Sequence, residues 1–294
     1  MTKKKGLSKI VLNVILIMMM LTFIIPFIYV ISVSISNEDK IIQEGYKLIP
    51  SVVDFAAYKY VFANPENLIW SYRTTIIESV TATVLSLIVT SMIAYPLSRR
   101  NYSYRKILSF YVYFTTLFSG GLVPTFILNT QYLHLGNTIW IYILPCLISA
   151  FNVIIIRTSF QALPDALIES AKMDGCSEIR ILFNIVLPLS KPVLATIGLM
   201  TLLGRWNEWN ASLLYIRDER LYTLQYLLQR ILREAEFVSS MADKIPGGMS
   251  ISEGVPSESM RFAMCVLAAG PMLVVFPFFQ KYFARGLTVG SVKG

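Results

Sequence analysis

Two polar clusters sit in otherwise apolar stretches of this 294-residue chain. The first reads Gly204-Arg205-Trp206-Asn207-Glu208-Trp209-Asn210. Amides and indoles side by side suit a flat-sided polar ligand such as a sugar ring, which offers C–H faces and hydroxyls together. Arg205 and Glu208 are three apart, so a helix lets them pair on one face, and Trp206 and Trp209 share the same spacing. Ionisable groups within a membrane span are costly and mostly face a bundle interior or a wet cavity. Two readings are open. Trp206, Asn207, Glu208 and Trp209 line a path for a polar solute, or the tryptophans anchor an interface beside an Arg–Glu staple.

The second cluster runs from Leu163 to Pro188: Glu169-Ser170-Ala171, three residues, Gly175, nine residues, then Ile185-Val186-Leu187-Pro188. Pro164 is placed to start a short helix, and Asp165 in its first turn suits the positive helix end. Ala166, Ser170 and Ala171 are small and permit close approach of another protein's surface. Gly175, able to adopt positive φ, stops the helix. A second helix from about 177 to 184 returns the chain toward apolar sequence, broken by Leu187-Pro188. The expected product is a helix-turn-helix plug that another protein grips.

Covalent chemistry finds no support. The single histidine, His134, borders a turn and reads as a solvated loop residue. Neither His-Glu-x-x-His nor Gly-x-Ser-x-Gly occurs, which argues against an intramembrane enzyme. Cys146, Cys176 and Cys265 form neither a disulfide framework nor a metal spacing. An ion-coupled transporter tends to bury carboxylates in its spans, and only Glu78 and Glu208 qualify. A scaffold without transport would leave the patterned loop unexplained.

The elements that must position these clusters are membrane helices. Hydrophobic residues make up 55% of the chain and charged ones 15%, with a mean hydropathy of +0.58; soluble domains carry roughly 25% charged residues. Six apolar blocks reach membrane length, at about 10–35, 74–97, 107–129, 138–158, 191–213 and 261–283. In lipid they must be helices, because backbone groups there are satisfied internally. The expected fold is all-α: one transmembrane domain over 1–294, with six spans and the helix-turn-helix between spans four and five. The first block continues through Pro26 without a small-residue cleavage site, so it reads as a retained span, not a leader.

Within the third block, Ser119-Gly120-Gly121 precedes Pro124, and both residue types weaken a helix. Discontinuous helices often flank a transported solute at the bilayer midplane; an ordinary kink filled by a neighbouring helix is the other reading. Loop 214–260 contains a helical pattern over 222–237 and a Pro/Gly/Ser-rich stretch from Pro246 to Ser259. It either contacts a soluble partner or caps the spans.

Charge sets the expected orientation. With the N-terminus inside, segments 1–9, 98–106, 157–191 and 281–294 hold 15 Lys and Arg against four acids. Loops 36–71 and 214–260 hold 8 basic and 12 acidic residues. Lys and Arg concentrate on cytoplasmic loops, which places both termini and the 163–188 loop in the cytoplasm. The net charge of +8 is this asymmetry and not a nucleic-acid footprint. Loop 98–106, with four bases and no acid, reads as a headgroup anchor.

The 163–188 spacing resembles the EAA loop of binding-protein-dependent ABC importer permeases, with Ser170 in place of the first alanine. The six spans and Trp206-Asn207-Glu208 are similar to the carbohydrate-uptake branch. Ser119-Gly120-Gly121-Leu122-Val123-Pro124-Thr125 and Leu135-Gly136-Asn137-Thr138 look like the permeases for complex oligosaccharides and polysaccharide fragments. The resemblance covers about 10–290 and is weakest in 214–260. It implies that the loop seats in a cytoplasmic ATPase subunit, with Glu169, Asp174 and Gly175 coupling and Ser170, Ala171, Ile185, Leu187 and Pro188 completing the motif. It also implies a bacterial cytoplasmic membrane, two ATPase subunits, a second and different permease, an extracytoplasmic solute-binding protein and a carbohydrate substrate. The chain has no Gly-x-x-x-x-Gly-Lys-Ser/Thr phosphate loop, so ATP and Mg are expected on the partner subunits and no cofactor on this chain.

Overall fold

The computed structural model describes residues 2–63, 65–242 and 257–286. Helices make up 79% of it, and the described residues hold no strand beyond one isolated bridge between Ser36 and Val53. In chain order the helices are α1 (Thr2–Ser34), α2 (Glu38–Glu44), α3 (Ala56–Val61), α4 (Pro65–Ser98) and α5 (Arg105–Leu117). Next come α6 (Leu122–Ile127), α7 (Trp140–Ile143), α8 (Ala150–Gln161), α9 (Asp165–Met173), α10 (Glu178–Ile181) and α11 (Leu187–Leu189). The remainder are α12 (Lys191–Trp206), α13 (Asn210–Tyr215), α14 (Leu224–Ala242) and α15 (Ser257–Gly286). Chain packing defines two compact units, Met1–Leu68 with Leu227–Pro271, and Ile69–Tyr226 with Met272–Gly294.

Only three stretches are long, apolar and unbroken enough to cross a bilayer among the described residues: Val11–Ser34, Pro65–Ser98 and Glu258–Gln280. Three more qualify as bent pairs. Arg105–Leu117 and Leu122–Tyr132 meet at 113°, Trp140–Cys146 and Ala150–Gln161 at 52°, and Glu178–Leu189 and Lys191–Trp206 at 83°. At Gly120-Gly121, where a kink and a discontinuous helix are both open readings, α5 and α6 are separate helices, with Gly121 at φ +83°. The block expected over 191–213 is helical only to Trp206, then turns and restarts as α13.

In the first unit, α1 exposes its apolar side chains from Val11 to Ile28, as a lipid-facing helix does, and buries Val33 near its end. Asn37 caps α2 by accepting from the Lys40 amide at 3.4 Å, and Gly45 ends that helix at φ +74°. The Glu38 carboxylate accepts from the amides of Glu258 (2.8 Å) and Ser259 (2.9 Å) and so caps the start of α15. Arg261 of α15 pairs with Glu236 of α14 at 2.8 Å. The Pro/Gly/Ser-rich stretch through residue 256 and the segment 287–294 lie outside the described residues.

Two apolar clusters hold together described residues of the second unit. One joins the end of α4 (Ala94, Tyr95, Leu97) to α8 (Val153, Ile156, Phe160), α9 (Ile168, Ala171), α10 (Ile181) and the start of α12 (Ile197). The other packs Leu135, Ile141 and Tyr142 against Ile216 and Tyr222. Residues 216–222, the first part of loop 214–260, therefore form a cap over their own unit.

Hydroxyls complete that cap. Ser212 Oγ lies 2.7 Å from Tyr142 Oη and 2.9 Å from Thr223 Oγ1, and the Leu224 amide donates to Thr75 Oγ1 at 2.8 Å. Tyr142, Ser212 and Thr223 are buried, so these bonds replace water that the site excludes.

Candidate functional site

The loop between α8 and α12 begins at Pro164, the residue before α9. α9 ends in a Schellman motif. Gly175 has φ +75°, the Cys176 amide donates to Ala171 O at 3.0 Å, and the Gly175 amide donates to Lys172 O at 3.0 Å. A Cβ on Gly175 would meet nothing within 4 Å, so glycine is required by backbone handedness and not by crowding. Ser177 then caps α10, accepting from the Arg180 amide at 3.4 Å.

The return helix differs from the expected one. After α10 it widens into a π-turn over Leu182–Val186 and continues through Leu187-Pro188-Leu189, breaking at Ser190. Pro188 lies inside this continuous run, directly after the π-turn, and the break at Ser190 follows it by two residues.

α9 has two distinct faces. Ala171 is buried against the ends of α4 and α8, so its small size serves internal packing and not a partner's approach, as the sequence reading had it. Ala166, Glu169, Ser170, Asp174 and Gly175 are exposed. Between them stand Leu167, Met173 (89% exposed) and Ile179 (70%). These three apolar residues were missed in the sequence; only their place outside the buried i, i+3 stripe of Ile168 and Ala171 could have found them. Ile185 and Leu187 pack partly on the buried cluster, and Pro188 faces out.

Polar ties fix this helix pair to the spans. Tyr95 Oη donates to Glu178 Oε2 at 2.6 Å, and Lys172 Nζ lies 2.6 Å from Glu178 Oε1. Arg99 donates to Phe160 O at the end of α8 (2.9 Å) and faces Asp165 of α9 at 3.5 Å. Its side chain is 14% exposed, so Arg99 is a strut between α8 and α9 and not the headgroup anchor that loop 98–106 suggested.

The second candidate cluster is a turn. α12 ends at Trp206, so Trp206 and Trp209 do not share a helix face: Trp206 is 3% exposed and Trp209 36%. Arg205 and Glu208 pair at 3.0 Å, both mostly shielded. Glu208 Oε1 also accepts from the Ala211 amide (2.9 Å) at the start of α13, which makes it a staple across the turn. Asn207 is exposed, with its amide nitrogen on Leu203 O at 2.8 Å. The exposed polar surface of the cluster is therefore Asn207, Trp209 and Asn210, with Trp206 and Glu208 behind it.

Glu78 of α4 is fully enclosed, and among the described residues neither carboxylate oxygen meets a hydrogen-bond donor. The charges acting on it are those of Arg205 and Glu208. A Cβ built on Gly120 would meet only Pro124 within 4 Å and one on Gly121 nothing, so neither glycine touches residues 206–209 through such a position. Further along that segment, Phe126 stacks on Tyr215 at 5.4 Å and Asn129 donates to Tyr215 Oη at 3.3 Å.

Comparison with known proteins gives this geometry a context. The polygalacturonan/rhamnogalacturonan transport system permease protein YtcP of Bacillus subtilis is 39% identical over 279 residues, covering 95% of this chain and 96% of YtcP. Protein LplC of the same organism is 40% identical over 271 residues, covering 92% and 90%. A crystal structure of a bacterial ABC transporter involved in import of the acidic polysaccharide alginate contains a chain that superposes with a TM-score of 0.76. That chain is 30% identical, with 96% of this chain and 99% of the other covered. Residues 3–289 match one family model throughout, and the chain belongs to that family, the binding-protein-dependent transport system inner membrane components.

Proposed function

We propose that this chain is the membrane subunit of an ATP-driven importer that moves an oligosaccharide or polysaccharide fragment across the bacterial cytoplasmic membrane. Polygalacturonan, arabinooligosaccharides and alginate appear in the names of its relatives, and these are polymers or oligomers of sugars. A permease subunit moves a solute and performs no covalent step, and this one takes its energy from two ATPase subunits that hold ATP and Mg. A solute-binding protein delivers the sugar, and a second, different permease completes the pathway. This chain binds no cofactor.

The observation that carries the coupling role is the outer face of the α9–α10 pair. Met173 and Ile179 stand exposed among Glu169, Asp174 and Gly175, on a pair locked to α4 and α8 by Tyr95 and Arg99. Exposed apolar residues rimmed by polar ones mark protein contact surfaces. Force applied there reaches the spans through bonded side chains and not through a slack loop. A six-span reading is supported by the three unbroken stretches and the three bent pairs, the last of them spanning through its Lys191–Trp206 half while α10 stays outside the membrane, and the Lys/Arg asymmetry favours a cytoplasmic side for both termini and the α9–α10 pair. Asn207 and Trp209 border the sugar's path, with Trp206 and Glu208 supporting them and the α5–α6 break at Gly120-Gly121 supplying a flexible wall.

Glu169→Lys, or Gly175→Leu, should leave the chain inserted and assembled yet abolish sugar-stimulated ATP hydrolysis in the reconstituted importer. Full coupling in both variants would overturn the assignment of the loop.

A further inference from the structure

One cavity of about 820 Å³ opens where α4 gives way to α5, and four of its lining residues are cations: Arg100, Arg105, Lys106 and Arg157. No acidic residue lines it. Among the described residues, no carboxylate lies within salt-bridge distance of any of the four. Arg99, one position away, is by contrast paired inside the protein. Arg157 is half-buried and oriented by contacts to Ser109 Oγ (3.2 Å) and Tyr113 Oη (3.4 Å), so its guanidinium is held in place and not free to leave for bulk water.

Four like charges around one hollow repel each other unless an anion joins them. Guanidinium groups match phosphate oxygens in a two-point fork, and lysine adds a point charge. Basic pockets between membrane helices are suited to lipid phosphates. The flank of the cavity decides the source of the phosphate. Ile107, Phe110 and Phe114 of α5 are 68%, 69% and 44% exposed, an apolar strip that starts at the cavity and runs away from it along the helix.

We propose that this cavity binds the phosphate of an anionic phospholipid, whose acyl chains lie along the Ile107–Phe110–Phe114 strip. Only the leaflet rests on the orientation proposed above; the binding itself does not depend on the transported sugar or on the coupling role of α9.

The test uses the assembled importer in nanodiscs of phosphatidylcholine with a minority of phosphatidylglycerol. Retained lipid is read by native mass spectrometry and partner subunits by co-purification. Arg100 and Lys106 are both exposed, so the double variant Arg100→Gln/Lys106→Gln should fold. It should lose about thirty-fold in phosphatidylglycerol retention, with phosphatidylcholine unchanged. Arg105→Gln alone should lose about five-fold. Equal retention by parent and double variant overturns the proposal. So does complete displacement of the lipid by millimolar inorganic phosphate, which would make this a free-phosphate site. Loss of an ATPase subunit with lipid retention intact would assign the cations to a protein contact and overturn it as well.

Discussion

Tyr95 and Glu178 lie 83 positions apart in sequence, and the phenol donates to the carboxylate at 2.6 Å. This bond joins the last turns of α4 to the first residue of α10, so a membrane helix and a loop helix share one polar contact. Lys172 of α9 reaches the other oxygen of the same carboxylate. Tyr95→Phe keeps the ring in the apolar cluster and removes only the donor. Hydrogen bonds to charged groups contribute about 1.5–3 kcal/mol. Hydrogen exchange over residues 165–182 should therefore accelerate by about one order of magnitude or more, with α12 unaffected. An unchanged rate would show that apolar packing alone seats the loop.

Arg99 and Arg100 offer a paired comparison. Arg99→Gln removes the charged donor to Phe160 O, which keeps the Leu163 amide at 3.4 Å, and the partner of Asp165. Losing a hydrogen bond from a charged donor costs about 1.5–3 kcal/mol. Arg100→Gln at an exposed position should change thermal stability by no more than about 0.5 kcal/mol. Equal effects of the two substitutions would remove Arg99 from its role as a strut.

Glu78 is enclosed without a donor to either oxygen among the described residues, an arrangement that destabilises by about 1–3 kcal/mol for each unmade bond. Glu78→Met preserves length and removes the unmet polar atoms. The melting temperature of the detergent-purified chain should rise by about 2–4 °C. A fall instead would show that Arg205 relies on Glu78 as a second counter-charge.

Acid should loosen the 36–71 loop at its α2 end. Glu44 accepts from Lys47 (2.5 Å) and from Ser51 (2.8 Å), with Lys40 3.4 Å away, and these contacts hold its carboxyl at about 2 against an ordinary 4.5. A depressed carboxylate adds stability that is present in full above the ordinary value and is lost as pH falls from 4.5 toward 2. Exchange protection around residues 44–51 should decline across that window and return on neutralisation. Glu44→Gln should show no such pH dependence, and a persistent decline in that variant would point to another group.

Much of the α9–α10 pair is legible in the chain because its boundaries carry strong local signals: Pro164 before α9, Gly175 after it, Ser177 before α10. The Arg205–Glu208 pair follows from spacing alone. The end of α12 at Trp206 carries no such sign, since Trp-Asn-Glu-Trp-Asn contains neither glycine nor proline and the turn is enforced by Glu208 bonding forward to Ala211. Leu187-Pro188 marks the end of the return helix to within two residues, the break falling at Ser190, while the π-turn before it carries no sign in the sequence. Arg99 and Arg100 are adjacent and chemically identical, and only the three-dimensional positions of Phe160 and Asp165 separate their roles. The buried hydroxyls of Tyr142, Ser212 and Thr223 find each other across 70 and 11 positions, a distance no periodicity reaches.

The open space around Gly175 sets a condition on chirality. An L-residue at φ +75° brings its side chain against its own backbone and costs about 1–2 kcal/mol, although the surrounding volume is free. A D-alanine placed there by chemical ligation would take the same backbone angles without that strain and project into vacant space. Ribosomal synthesis supplies no D-residue, so the one achiral amino acid is the sole coded choice that leaves this turn relaxed.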